Sequence, residues 1–217
     1  MNENILVPIL IALGPGFSAL LFVSRLRINY WLNAILGGSG WLIALMIRFP
    51  LLVLINSLSV FPRIFMASLA AGVFEETIRY LVVRHRVGKE KLYSSISLGL
   101  GWGLAEALII YVLQVPLASA VYGYNWVELL PGAVERNTAI VFHLAMTLVA
   151  TIAATRSPWI VLIAITMHTL INITAGLAVL YMSDPWIIEG VLGLLVSILI
   201  IPVVIYAKNI VKECRIA

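Results

Sequence analysis

The chain has 217 residues, 62% of them hydrophobic and 11% charged, with a mean hydropathy of +1.07, whereas a soluble domain is roughly 45–50% apolar. That composition excludes a soluble enzyme and a nucleic-acid-binding module, so the formal net charge of +4 reads as a bias in membrane topology. The organising unit is the apolar stretch of about 20 residues that crosses a hydrocarbon core.

Taken in chain order, the apolar stretches are Ile5 to Val23, Trp31 to Ile47, Pro62 to Val83, Leu92 to Leu113, Gly132 to Ala154, Pro158 to Met182 and Trp186 to Ala207. Each is expected to be a helix, because an isolated strand in lipid leaves its backbone unpaired. The expected fold is therefore an all-α, polytopic bundle of about seven spans forming a single domain over residues 1–217, with core helices over roughly 62–182. Arg25, Arg27, Arg84, Arg86, Lys89, Lys91, Arg156, Lys208, Lys212 and Arg215 fall in loops on one side. Glu3, Glu128, Asp184 and Glu189 fall on the other, with Arg48 and Arg63 as its basic residues. Basic residues stay cytoplasmic, which puts the N-terminus outside and the C-terminus inside an expected prokaryotic cell membrane.

The first stretch carries Glu3 ahead of it and its positive charges behind it, so it reads as an anchor and not as a cleavable signal. Cys214 is the single cysteine, which leaves no internal disulfide and a reduced thiol in the tail. Tyr30, Trp31, Tyr93, Tyr181, Trp186 and Tyr206 stand at stretch ends, where amphipathic rings favour the headgroup layer. The connection from Gln114 to Pro131 is apolar enough to lie in the interface, as an anchor or as a lid over a site.

Ionisable residues inside apolar spans cost roughly 2.5–3.5 kcal/mol each to insert, which makes them functional candidates. The third span carries Glu75, Glu76 and Arg79, the fourth Glu106, the fifth Glu135, Arg136 and His143, and the sixth His168 with Asn172. Residues four apart share a helix face, so Glu75 and Arg79 are expected to pair while Glu76 looks to a neighbouring helix. His168 and Asn172 project side by side as two donors suited to an oxyanion. Glu135 and His143 lie eight apart, nearly on one face. Gly99, Gly101 and Gly103 thin a surface beside Glu106 for close helix approach. Counted along alternating spans at about 1.5 Å per residue, Glu75, Glu76, His143, His168 and Asn172 reach one depth, with Glu106 slightly nearer the outside and Glu135 and Arg136 close to the outer end.

With Arg79 neutralising one carboxylate, the other is free to take a proton from water, assisted by a histidine. No Ser or Cys nucleophile stands beside a base in these spans, which favours direct attack by water over an acyl-enzyme. Peptide-bond hydrolysis inside the bilayer fits this set. A zinc protease with Glu76, His143 and His168 as ligands is the metal-dependent alternative, although no His-Glu-x-x-His helix is present. A proton-coupled transporter and a non-catalytic membrane scaffold are the alternatives from other classes.

The motifs resemble those of the glutamic intramembrane proteases of the CAAX-protease and bacteriocin-processing superfamily, most closely its PrsW and YhfC branches. The similarity rests on Glu75, Glu76 and Arg79, on "GLGWGLAE" ending at Glu106, on Glu135 and Arg136 followed by His143, and on His168 with Asn172. It implies a glutamate of the pair as general base, a histidine as its partner, His168 and Asn172 as oxyanion donors, no cofactor, and a membrane-anchored or lipidated protein or peptide as substrate. Two departures stand out. Only Thr77 and Ile78 separate the pair from its arginine where the superfamily has three residues, and Trp102 with Glu106 replaces a Phe-x-x-x-His motif, so His143 is expected to supply the partner histidine.

Overall fold

The computed structural model describes residues 4–25, 27–86 and 91–216, with side chains as far as Tyr206 apart from Lys91. Glu3, Lys89 and the side chains of Lys91, Lys208, Lys212, Cys214 and Arg215 lie outside that range. Among the described residues eight α-helices follow one another: α1 (Leu6–Ser24), α2 (Ile28–Ile55), α3 (Val60–Arg86), α4 (Lys91–Glu106), α5 (Val115–Tyr122), α6 (Leu130–Thr155), α7 (Ile160–Tyr181) and α8 (Pro185–Ile216). A π-helical turn, Ala107–Val112, continues α4 directly after Glu106.

Six of these segments combine the length and apolarity of a membrane span, which makes the protein an integral, multi-pass membrane protein. Helix α3 matches them in length at 27 residues and departs in composition because it carries the charges of the site. It packs against α2, α6 and α7, while α6 packs against α1, α3, α4, α7 and α8. The buried core accordingly lies along α6, with Trp41, Val83, Leu98, Trp102 and Ala150 packed on one side of it and Phe142, Met146, Ala164 and Val196 on the other.

Two seams set the helix spacing. At the α2–α4 crossing, a side chain on Gly37 would run into the Leu98 carbonyl, and one on Gly101 into the Ala34 backbone. Gly99 and Gly103 point elsewhere, to the α6 backbone at Leu144 and Ile140. The glycines of α4 thus serve two neighbours, one on each side, where the sequence suggested one thinned surface. The spacing explains it: residues four apart share a face, and the one between them looks away.

Helix α2 runs through Arg48 and Pro50 to Ile55, well past the Ile47 boundary expected from the sequence. Arg48 is therefore a helical residue and not a loop residue. Its charge is met by a carboxylate across the bundle, so the helix has no reason to stop there. In α1, Pro15 removes the amide that would bond the Ile11 carbonyl. Asn137 of α6 replaces it, donating from Nδ2 to Ile11 O at 2.8 Å. The lost helical bond becomes a clasp between helices.

Within the 114–131 connection, α5 exposes Leu117, Val121 and Tyr122. Tyr111 of the π-turn donates its hydroxyl to Leu129 O at 2.5 Å, tying the far end of this connection to the turn beside Glu106.

Candidate active site

Gly72 allows α3 to lie against α7, because a side chain there would meet Ile165 O and Thr169. One turn further on, Glu76 reaches His168, with Oε1 2.6 Å from Nδ1. Both residues are buried.

Arg79 is fully buried and directs its donors to α6 and to its own helix. Its Nη1 donates to the His143 carbonyl and to Thr147 Oγ1, each at 3.0 Å, and its Nη2 donates to His143 Nδ1 at 2.9 Å. Its Nε stands 3.0 Å from Glu76 Oε2. That contact is electrostatic in character, since neither atom has a partner in hydrogen-bond geometry among the described residues. The guanidinium also lies over the Trp102 ring, 4.1 Å from its centroid, a favourable placement for a desolvated cation. The expected Glu75–Arg79 pairing is thus displaced: Arg79 Nη2 is 4.0 Å from Glu75 Oε2, and the close partner is Glu76, three residues back. Spacings of three and four are both compatible with pairing on a helix.

Arg48 decides between them. Its Nη1 donates to Glu75 Oε1 at 2.5 Å, and Trp102 Nε1 donates to Oε2 at 3.2 Å. Glu75 is thereby satisfied without Arg79. Neither Arg48 nor Thr147 was singled out from the sequence. The available signal for Arg48 was an arginine inside an apolar run that continues to Ile55.

A second carboxylate–imidazole pair is formed by Glu106 and His143, with Oε2 2.6 Å from Nε2. Glu106 Oε1 accepts from Arg136 Nη1 at 3.0 Å, and Arg136 also pairs with Glu135. A guanidinium can only donate. Arg79 therefore fixes His143 in the tautomer with Nδ1 bare, and the Nε2–H is given to Glu106. The two histidine rings stand 5.7 Å apart between centroids, inclined by 62°.

Both rings line a cavity of about 310 Å³, together with Glu75, Glu106, Arg48 and Asn172. Glu135 and Arg136 also line it, and its apolar wall includes Leu192 and Val196 of α8. Walls from α2 and α8 extend the site beyond the 62–182 core expected from the sequence. Glu76 and Arg79 do not line the cavity and lie behind His168 and His143. Among the described residues, the group able to gather round a metal ion is Glu75, Glu106 and His143, whose ligand atoms lie within 4.8 Å of one another. This differs from the Glu76, His143 and His168 set that the sequence offered as the metal-dependent alternative to an enzyme without a cofactor, since Glu76 is turned away behind His168.

The fold and this cluster define a polytopic helical membrane protein with acid, base and guanidinium groups gathered around a buried cavity. Residues 42–127, less than half of the chain, match the model of a family described as YhfC intramembrane metalloprotease. The matched stretch carries Arg48, Glu75, Glu76, Arg79, Trp102 and Glu106, and ends before His143, His168 and Asn172. No curated protein matches the chain.

Proposed function

We propose that the protein is an intramembrane peptide hydrolase in which His168, held by Glu76, takes the proton from the attacking water. The observation that carries this reading is the asymmetry of His168. Its Nδ1 faces Glu76 at 2.6 Å, no hydrogen bond reaches Nε2 among the described residues, and the ring lines the cavity. Donation of the Nδ1 proton to a carboxylate leaves a lone pair on Nε2. Water bound there gives its proton to Nε2 as its oxygen attacks the carbonyl carbon of a peptide bond. The carbonyl electrons move onto oxygen, where the Asn172 amide donates to the developing charge. Collapse breaks the C–N bond, and the proton on Nε2 passes to the leaving nitrogen, giving one new carboxyl end and one new amine.

This assignment changes three roles expected from the family resemblance, the first being that of His168, expected as an oxyanion donor and here the base. Glu76 sits behind the cavity wall, so it orients His168 and does not meet water. His143 has both ring nitrogens bonded, so it braces the site beside Glu106. The substrate is a membrane-associated protein or peptide, because the bond to be cut must enter a cavity within the helical bundle. The test is cleavage of a membrane-tethered reporter by the reconstituted protein. His168→Ala and Glu76→Gln are expected to insert normally and lose cleavage, and wild-type cleavage by His168→Ala overturns the reading.

The family description and the Glu75, Glu106, His143 group favour a second, metal-dependent reading. Two carboxylates and an imidazole at this spacing fit a divalent ion such as zinc in donor type. These three residues would hold it, and a bound ion would supply a Lewis acid and an acidified water. For His143 to offer its Nε2 lone pair, Arg79 must release Nδ1. Metal analysis of the purified protein, with cleavage measured before and after chelation, separates the readings: activity that survives metal removal excludes the second, and activity lost with a stoichiometric metal and restored by zinc excludes the first.

A further inference from the structure

We infer that Arg48 is a positioning residue of this site, acting through Glu75 to keep Arg79 on His143 and Glu76. The inference rests on the hydrolase reading for its activity measurements, and has one readout that does not depend on it. Arg79 Nη2 lies between two acceptors, His143 Nδ1 at 2.9 Å and Glu75 Oε2 at 4.0 Å. In a medium of low dielectric a carboxylate outcompetes a neutral ring nitrogen for a guanidinium. What prevents this is Arg48, whose Nη1 holds the other oxygen of Glu75 at 2.5 Å. Arg48 reaches that carboxylate from α2, and the glycine seam between α2 and α4 sets the same helix beside Trp102, the second donor to Glu75. Without Arg48, Arg79 is, among the described residues, the remaining arginine paired with Glu75 and is drawn toward it. His143 then loses the donor that fixes its tautomer, and Glu76 Oε2 loses its close charge partner. The two arginines are therefore not redundant: one satisfies Glu75, and the other is thereby left to organise both histidines.

The experiment compares Arg48→Gln, Glu75→Gln and the double variant in the full-length protein reconstituted in lipid, with activity expressed per folded molecule. Arg48→Gln is expected to lower kcat about tenfold or more with little change in KM, the size of a coupled side-chain network. Glu75→Gln added to it removes the competing carboxylate and returns kcat to that of Glu75→Gln alone. In parallel, the ¹⁵N imidazole resonances of His143 are expected to show an unprotonated Nδ1 in the wild type, to change in Arg48→Gln, and to revert in the double variant. A purely structural arginine would restore stability on pairing with Glu75→Gln but would leave the His143 tautomer unmoved throughout. Wild-type kcat in Arg48→Gln overturns the inference, as does a loss that the second substitution fails to restore or a His143 signature unchanged by either. If the wild type cleaves no reporter, the hydrolase reading fails, while the His143 resonances still decide the role of Arg48.

Discussion

The Glu76–His168 and Glu106–His143 pairs share a 2.6 Å carboxylate–imidazole contact and differ in everything behind it. In the first, the carboxylate is sealed behind the ring and the far nitrogen of the ring is open to the cavity. In the second, the carboxylate faces the cavity and the ring is held at both nitrogens, by Arg79 on one side and by Glu106 on the other. An imidazole bonded at one nitrogen can exchange a proton with a ligand; one bonded at both is a strut. Two contacts of equal length thus lead to different chemistry, and the difference is set by Arg79, which touches both pairs.

That contrast can be broken most directly by His168→Ala. Removal of a general base is expected to cost about 100-fold or more in kcat, read as cleavage of a tethered reporter. His143→Gln should cost less, about tenfold, in keeping with loss of one bracing hydrogen bond to an ionised partner; a larger loss than that of His168→Ala would exchange the roles and favour the metal reading. Gly101→Ala acts at the α2–α4 seam. It forces a methyl into the Ala34 backbone, and overpacking of about 1–3 kcal/mol should lower thermal stability in detergent and loosen the Arg48–Glu75 contact. Asn137→Ala acts beside the second pair, next to Arg136. It orphans the Ile11 carbonyl freed by Pro15 and should cost about 1 kcal/mol in the same melting experiment, with cleavage close to wild type.

The helices were legible because apolar runs of span length have one stable form in lipid, and Glu75, Glu76 and Arg79 were legible because no other charged residue falls between Ile64 and Val83. Shared depth brought Glu76, Glu106, His143 and His168 to one level without saying which carboxylate meets which imidazole. Three features did not follow. Arg48 looked like a span end, since an arginine followed by Phe49 and Pro50 usually marks one. The choice of Arg79 between Glu75 and Glu76 depends on a residue of another helix, and helical spacing allows both. The Asn137–Ile11 clasp joins positions 126 residues apart, and a proline inside a helix says which carbonyl is freed without saying what will cap it.

Helix α3 buries Glu75, Glu76 and Arg79 completely, yet Glu76 finds His168 only on α7, 92 residues later in the chain. A helix bearing these groups would pay roughly 2.5–3.5 kcal/mol for each in bare lipid, so α3 is poorly suited to remain there while the later spans are still being synthesised. Biogenesis must therefore shelter it, by holding α3 at the insertion machinery or against α2 until α6 and α7 arrive. A nascent chain truncated ahead of Ile160 would present the cell's quality control with Glu76 in the bilayer and no histidine to meet it.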